Sequence, residues 1–180
     1  VATLLDELGI AGAAGLENRY LAFIAYAFNK ETGRFRNFLD YQRHWLEVIG
    51  SEDCQGRSLL ALSVVLGRSG SEAMRSIAGL IFDKALPAIL DTTSPRAWAF
   101  TLIGIHEYLR RYSGDSRAAM VRDELAGRLL ALYRNVRSDD WRWFENGLSY
   151  CNAVLPQAIL MCGQWIPNSK MTEAGLESLG

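Results

Sequence analysis

Three carboxylates stand out for where they fall in the chain. Glu52 and Asp53 sit in the stretch Ser51-Glu52-Asp53-Cys54-Gln55-Gly56-Arg57, which leads into the almost wholly apolar or small run Ser58 to Leu66. Glu145 lies in a second polar and aromatic cluster, Asp139 to Asn152, which also precedes an apolar run. Charge at the mouth of a buried helix is costly unless something uses it. Two carboxylates roughly 5 to 9.5 Å apart are what glycoside hydrolysis requires. Neighbours in sequence do not face each other on a helix, so Glu52 and Asp53 are not expected to form that pair between themselves. Either of them with Glu145 is the better pairing. The competing explanation is capping, because acids in a first helical turn are favoured by the helix dipole.

Other residue types in these clusters suit the same chemistry. Trp141 and Trp143 offer flat faces on which the apolar face of a sugar could stack, or they plug a core together with Phe144. Tyr150 and Asn152 could donate hydrogen bonds to hydroxyls, and Asn152 could equally be a helix cap. Arg57, one turn after Asp53, either forms an i,i+4 ion pair or holds substrate hydroxyls. Arg34, Arg36 and Tyr41 lie in an aromatic-rich stretch and could bind an anionic sugar or phosphate, since arginine suits oxyanions. A solvated loop face explains them as well. His106, beside Glu107, reads as a structural histidine. No nucleophile elbow, phosphate-cradling glycine loop or metal-ligand cluster is present in the sequence, so neither a metal nor a cofactor is expected.

The elements that must position these residues are helices. Glu17 to Asn29 has a helical pattern, and Arg34 to Leu46 reads as an extended loop or short hairpin. Ser51 is a plausible cap for a helix over 52–66, and Ser71 for one reaching about Leu90, with Pro87 near its end. Ser94-Pro95 predicts a start for a helix to about Tyr112, since proline is favoured in the first turn. Asp115 or Ser116 begins a helix ending near Val136. Another is expected over 149–164, with Pro156 either kinking it or marking a later start. A last one begins near Ser169. Helices apolar nearly all round alternate with amphipathic ones such as 116–136, whose stripe is Ala118, Val121, Leu125, Leu129, Leu132 and Val136. The alternation predicts an all-α toroid of helical hairpins, with a helical-repeat solenoid as the competing architecture. If the inner helices run parallel, the polar and aromatic clusters converge on one rim.

Bulk properties bound the partners. At 180 residues and 49% apolar content the chain is expected to be a single domain with a sizeable core, or a piece of something larger. A net charge of −1 points to neither nucleic acid nor an acidic membrane surface. No apolar run reaches the roughly 18 residues of a membrane span. The three cysteines, Cys54, Cys151 and Cys162, lack zinc-type spacing and are expected to be reduced core residues, which fits a cytoplasmic setting. The start at Val1 and the short last segment predict a fragment of a longer polypeptide.

Longer strings carry a resemblance. Arg19-Tyr20-Leu21-Ala22-Phe23, Thr32-Gly33-Arg34-Phe35-Arg36-Asn37-Phe38 and Ser51 to Arg57 resemble a family of bacterial six-hairpin, glycosidase-like domains. Trp141-Arg142-Trp143-Phe144-Glu145, Leu148-Ser149-Tyr150, Asn152-Ala153 and Leu155-Pro156 fit the same family. Its members are often found beside or fused to family 4 glycosyltransferases. The resemblance implies an (α/α)6 toroid, of which this chain is a part, and a carbohydrate-related role. An earlier inner-helix start with an Asp-Asp-Asn-type motif and the last hairpins of the ring are absent from this chain. The expected site is therefore Asp53, Glu52 and Glu145 as carboxylates, with Arg57, Trp141, Trp143, Tyr150, Asn152, Arg36 and Tyr41 around a glycan. A non-catalytic binding or scaffolding domain for a glycosyltransferase partner is the alternative. A sugar epimerase, which wants a histidine pair, ranks last with only His44 and His106 available.

Overall fold

The computed structural model describes residues 1–180. It is all-α apart from one short hairpin. The helices are α1 (Ala2–Glu7), α2 (Ala13–Ala27), α3 (Glu52–Arg68), α4 (Glu72–Ala85), α5 (Pro95–Arg111), α6 (Ser116–Val136), α7 (Val154–Trp165) and α8 (Ser169–Glu177). Strands β1 (Phe28–Asn29) and β2 (Arg34–Phe35) pair antiparallel, Phe28 opposite Phe35. A 3₁₀ turn covers Pro87–Asp91. No helix is long and apolar enough to cross a membrane.

Local chemistry sets most of these boundaries. Side-chain oxygens of Ser51, Ser71, Ser94 and Asp115 each accept an otherwise orphaned N–H in the first turn of α3, α4, α5 and α6. The stretch Arg34 to Leu46 is extended as expected, with β2 followed by a bridge between Leu39 and Trp45. Three expected boundaries move. The first long helix starts at Ala13 and stops at Ala27, because Phe28 and Asn29 leave it to pair with β2. Helix α4 stops at Ala85 rather than near Leu90, and Pro87 opens the 3₁₀ turn, where its missing N–H is harmless. Helix α7 starts at Val154, five residues later than its expected start at Ser149, which puts Pro156 in the first turn rather than at a kink.

Helices α3, α5 and α7 run parallel, side by side. Near the amino ends, a Cβ on Gly56 of α3 would lie 2.6 Å from the Ala97 carbonyl oxygen of α5. Near the carboxyl ends, a Cβ on Gly67 would lie 2.4 Å from the Glu107 carbonyl oxygen. Only glycine permits so close an approach of two backbones at both ends. Between α5 and α7, Arg96 meets Asn152 at one end and His106 meets Trp165 at the other. Each of the three is followed by an antiparallel partner. Gln55 of α3 reaches the Ala85 carbonyl at the end of α4, Arg128 of α6 lies over Trp98 at the start of α5, and Gly175 of α8 packs on Leu160 of α7. One continuous apolar core joins them, from Leu21 through Leu59, Leu102 and Leu129 to Ile159 and Ala174. The amino-terminal ends of α3, α5 and α7 therefore share one rim.

Candidate functional site at the shared helix rim

The charged stretch that opens α3 is divided among several tasks. Ser51 caps the helix through the Cys54 N–H. The Glu52 carboxylate accepts the backbone N–H groups of Thr93, at 2.9 Å, and Ser94, at 2.6 Å, and so fastens the entry of α5 to the start of α3. Gln55 is fully buried; it accepts the Phe35 N–H and donates to the carbonyls of Gly33 and Ala85. Asp53 alone among these acids turns toward the second cluster. Its carboxylate takes the Arg57 Nε–H at 2.6 Å and the Tyr150 hydroxyl at 3.0 Å. Arg57 also donates to the Cys151 sulfur at 3.2 Å and lies over the Phe100 ring, 4.2 Å from its centroid. The two clusters thus meet, through Tyr150 and Cys151.

Arg96 joins the rest and went unnoticed in the sequence. Its side chain is only 4% exposed. One terminal nitrogen contacts both Glu145 carboxylate oxygens, at 2.9 and 2.7 Å. The other donates to Asn152 Oδ1 at 3.0 Å, Nε donates to the Tyr150 carbonyl, and the guanidinium lies 4.8 Å from the Tyr150 ring centroid. A base in the first turn of a helix opposes the dipole. That misfit was the available signal, since such a residue needs an acid nearby, and Glu145 is that acid. The result is a chain of contacts Glu145–Arg96–Tyr150–Asp53–Arg57 drawn from all three helix starts.

Asn152 is neither a cap of α7 nor a free donor. Its side chain bonds Ser149 on both faces of the amide and accepts from Arg96, while Ala153 stands at the cap position. The Tyr150 hydroxyl is pushed up from its ordinary pKa by burial first, then by its hydrogen bond to Asp53 and that carboxylate's charge. Cys151 is exposed with φ 47°, contrary to the expectation of a core thiol, because it falls in the turn before α7. Cys162 does behave as expected, and burial pushes its thiol up to about 12.

Beside this chain lies an open cavity of 760 Å³, lined among others by Trp141, Trp143, Asp139, Asp140, Arg142 and Asn152. Phe144 does plug the core, fully buried against Tyr133. Trp143, half-buried, packs against that core as well, whereas Trp141 does not. Trp141 is 37% exposed, and its indole N–H is fixed on the Glu145 carbonyl at 2.7 Å. Trp143 stands edge-on to Phe144 at 5.6 Å, and its indole N–H is shut from solvent with no acceptor.

Arg36 and Tyr41 stay apart from this arrangement. Arg36 stacks over Trp45 at 5.6 Å, and Tyr41 is fully exposed at the far end of its loop. His106 packs on Trp165 toward the opposite end of α5, and burial lowers its pKa; His44 pairs with Asp40 in the loop. The two histidines share no site. No three His, Cys, Asp or Glu side chains converge in a way that would hold a metal ion. No family model matches the chain, and neither the curated proteins nor the solved structures yield a match.

Proposed function

We propose that this chain is a sector of a carbohydrate-binding α/α toroid, with the glycan held at the shared rim of α3, α5 and α7. One observation carries the reading: two clusters almost a hundred residues apart in sequence are joined by the Tyr150–Asp53 hydrogen bond, beside a cavity walled by Trp141 and Trp143. Aromatic faces next to anchored polar groups suit sugars, whose rings present one apolar face and a border of hydroxyls. The three hairpins with parallel inner helices, and the resemblance to six-hairpin glycosidase-like domains, support the toroid. The same resemblance supports a role beside a glycosyltransferase, and three unpaired cysteines suit a reducing cytoplasmic setting.

Binding is favoured over hydrolysis by what the carboxylates already hold. Asp53 is taken up by Arg57 and the Tyr150 hydroxyl, and Glu145 by Arg96. Glycoside hydrolysis needs two carboxyl groups that reach the scissile bond and its water. Hydrolysis is the second reading, favoured by the chain of contacts that runs from Asp53 through Tyr150 and Arg96 to Glu145. The test is a glycan array probed with the purified chain, repeated with Trp141→Ala and with Asp53→Asn. Retention of a defined glycan class, weakened at least tenfold in W141A, is the expected result. No retained glycan, or retention indifferent to W141A, would sink the binding reading. Turnover of a retained glycan that is lost in D53N and E145Q would replace it with hydrolysis.

A further inference from the structure

We infer that the sugar held in the Trp141–Trp143 cavity is a cationic one, an amino sugar with a free ammonium group; the inference rests on the glycan reading above. The cavity's free charge is negative. Asp139 and Asp140 line it and are exposed. The ion pairs of this region join Arg96 to Glu145 and Arg137 to Glu177, and neither takes Asp139 or Asp140. Glu177 at the far wall is held by Arg137 and by the Tyr133 hydroxyl.

The arginines that would draw an anionic sugar are already committed. Arg96 is buried on Glu145, Arg57 is turned onto Asp53, and Arg36 lies over Trp45. Arg142 alone contributes a positive charge to the cavity lining. The two walls that remain are indole rings, and a cation over an indole face is attracted by its quadrupole. Both rings are held in place before any ligand arrives, Trp141 by the Glu145 carbonyl and Trp143 by the edge of Phe144. Rigid walls reduce the ordering that binding must otherwise impose.

Titration calorimetry with four probes tests this. They are a fully deacetylated glucosamine tetrasaccharide, its N-acetylated counterpart, a tetragalacturonate and choline. A pH of about 5.5 keeps the amine of the sugar charged. The deacetylated sugar should bind at least tenfold tighter than the acetylated one. That gap should close in Asp139→Asn/Asp140→Asn and shrink as salt screens the exposed carboxylates. Both aspartates are exposed, so the double variant should fold, and its circular dichroism checks that. Equal binding of the two chitosan forms, or tighter binding of the uronate, overturns the charge inference and leaves the glycan reading standing. Choline binding as tightly as the amino sugar overturns the sugar component. If no saccharide binds, the failure belongs to the glycan reading itself.

Discussion

The Tyr150 hydroxyl donates to the Asp53 carboxylate at 3.0 Å, across 97 positions of sequence. The bond links the first turn of α3 to the turn that precedes α7, a joint shared with the Arg57–Cys151 contact. It also divides the Asp53 carboxylate between two donors, since the other oxygen holds Arg57. Replacing the tyrosine tests the joint directly. Tyr150→Phe keeps the ring over Arg96 and removes only the hydroxyl, so the expected loss of stability is modest, about 1 kcal/mol. Urea unfolding measures it. Glycan affinity should fall by more than that loss of stability explains, because Asp53 is then free to swing away from the rim.

Arg96 should be far less tolerant. Its guanidinium is buried and serves Glu145, Asn152 and the Tyr150 carbonyl together. Arg96→Ala leaves the Glu145 carboxylate without its cation, and removing one partner of such a pair costs about 3 kcal/mol. Arg96→Ala/Glu145→Gln should recover part of that loss, since the stranded charge is gone. Denaturant midpoints of the two single variants and the double give the coupling energy. Additivity within about 0.5 kcal/mol would mean that the pair does not act as a unit.

How much of this was legible follows from the range of each interaction. The caps Ser51, Ser94 and Asp115 were readable because a cap and its helix are local in sequence. The alternation of buried and amphipathic helices was readable because burial sets the hydrophobic pattern along each helix. The stripe of α6 was half right. Ala118, Val121, Leu125 and Leu129 are buried, but Leu130 and Tyr133 take over from Leu132 and Val136 in the last turns. Near its end the helix presents the neighbouring line instead, where Tyr133 packs on Phe144 and donates to Glu177 of α8. The use made of each polar residue was not legible. Glu52, Asp53 and Gln55 look alike as polar residues at a helix mouth. Their tasks are set by Thr93, Tyr150 and Phe35, which no local pattern ties to them. Arg96 was missed for the same reason, its partner lying 49 residues away.

Acid should weaken the molecule through a pair far from the rim. Glu107 lies between Arg68, at 2.6 Å, and Arg110. Burial alone would raise its pKa, but the hydrogen bonds and charge of Arg68 prevail and hold it below the ordinary value. Asp115 is likewise lowered, with burial opposed by the Tyr108 hydroxyl and the backbone N–H groups of Ala118 and Arg117. A carboxylate with a depressed folded pKa binds fewer protons folded than unfolded. Its contribution is therefore present above the unfolded value, about 4, and is lost as pH falls through the folded one. Melting temperature should decline below about pH 4.5, and Glu107→Gln should flatten that decline while lowering the plateau at neutral pH. An unchanged slope in E107Q would show that other acids carry the acid sensitivity.

The Trp143 indole separates a packing role from a binding role. Its N–H is buried without an acceptor, which is a cost to the unliganded protein. Trp143→Phe removes that donor but leaves a smaller ring against Phe144, so the two effects on stability oppose each other and the net change should stay within about 1 kcal/mol. Affinity for a sugar is expected to fall by about tenfold. Calorimetric stability and glycan binding measured on one preparation distinguish the roles. A large stability loss with unchanged binding would leave Trp143 with its packing role alone.

Two glycines, Gly67 of α3 and Gly127 of α6, should respond oppositely to an added methyl. Gly67 faces the Glu107 carbonyl so closely that an added methyl would sit 2.4 Å from it, with backbone rather than a movable side chain in the way. Gly127 of α6 would place the same methyl in open space. Gly67→Ala must push α3 away from α5, and it should cost about 1 to 3 kcal/mol. Gly127→Ala meets nothing and gains helix propensity, so it should stabilise by about 0.5 to 1 kcal/mol. The parallel packing of α3 on α5 is what aligns Asp53 with Arg96 at the rim. G67A should therefore also weaken glycan binding, whereas G127A should leave it unchanged. Thermal melts and calorimetry on the two variants read both effects, and equal stability of G67A and wild type would contradict the close α3–α5 approach.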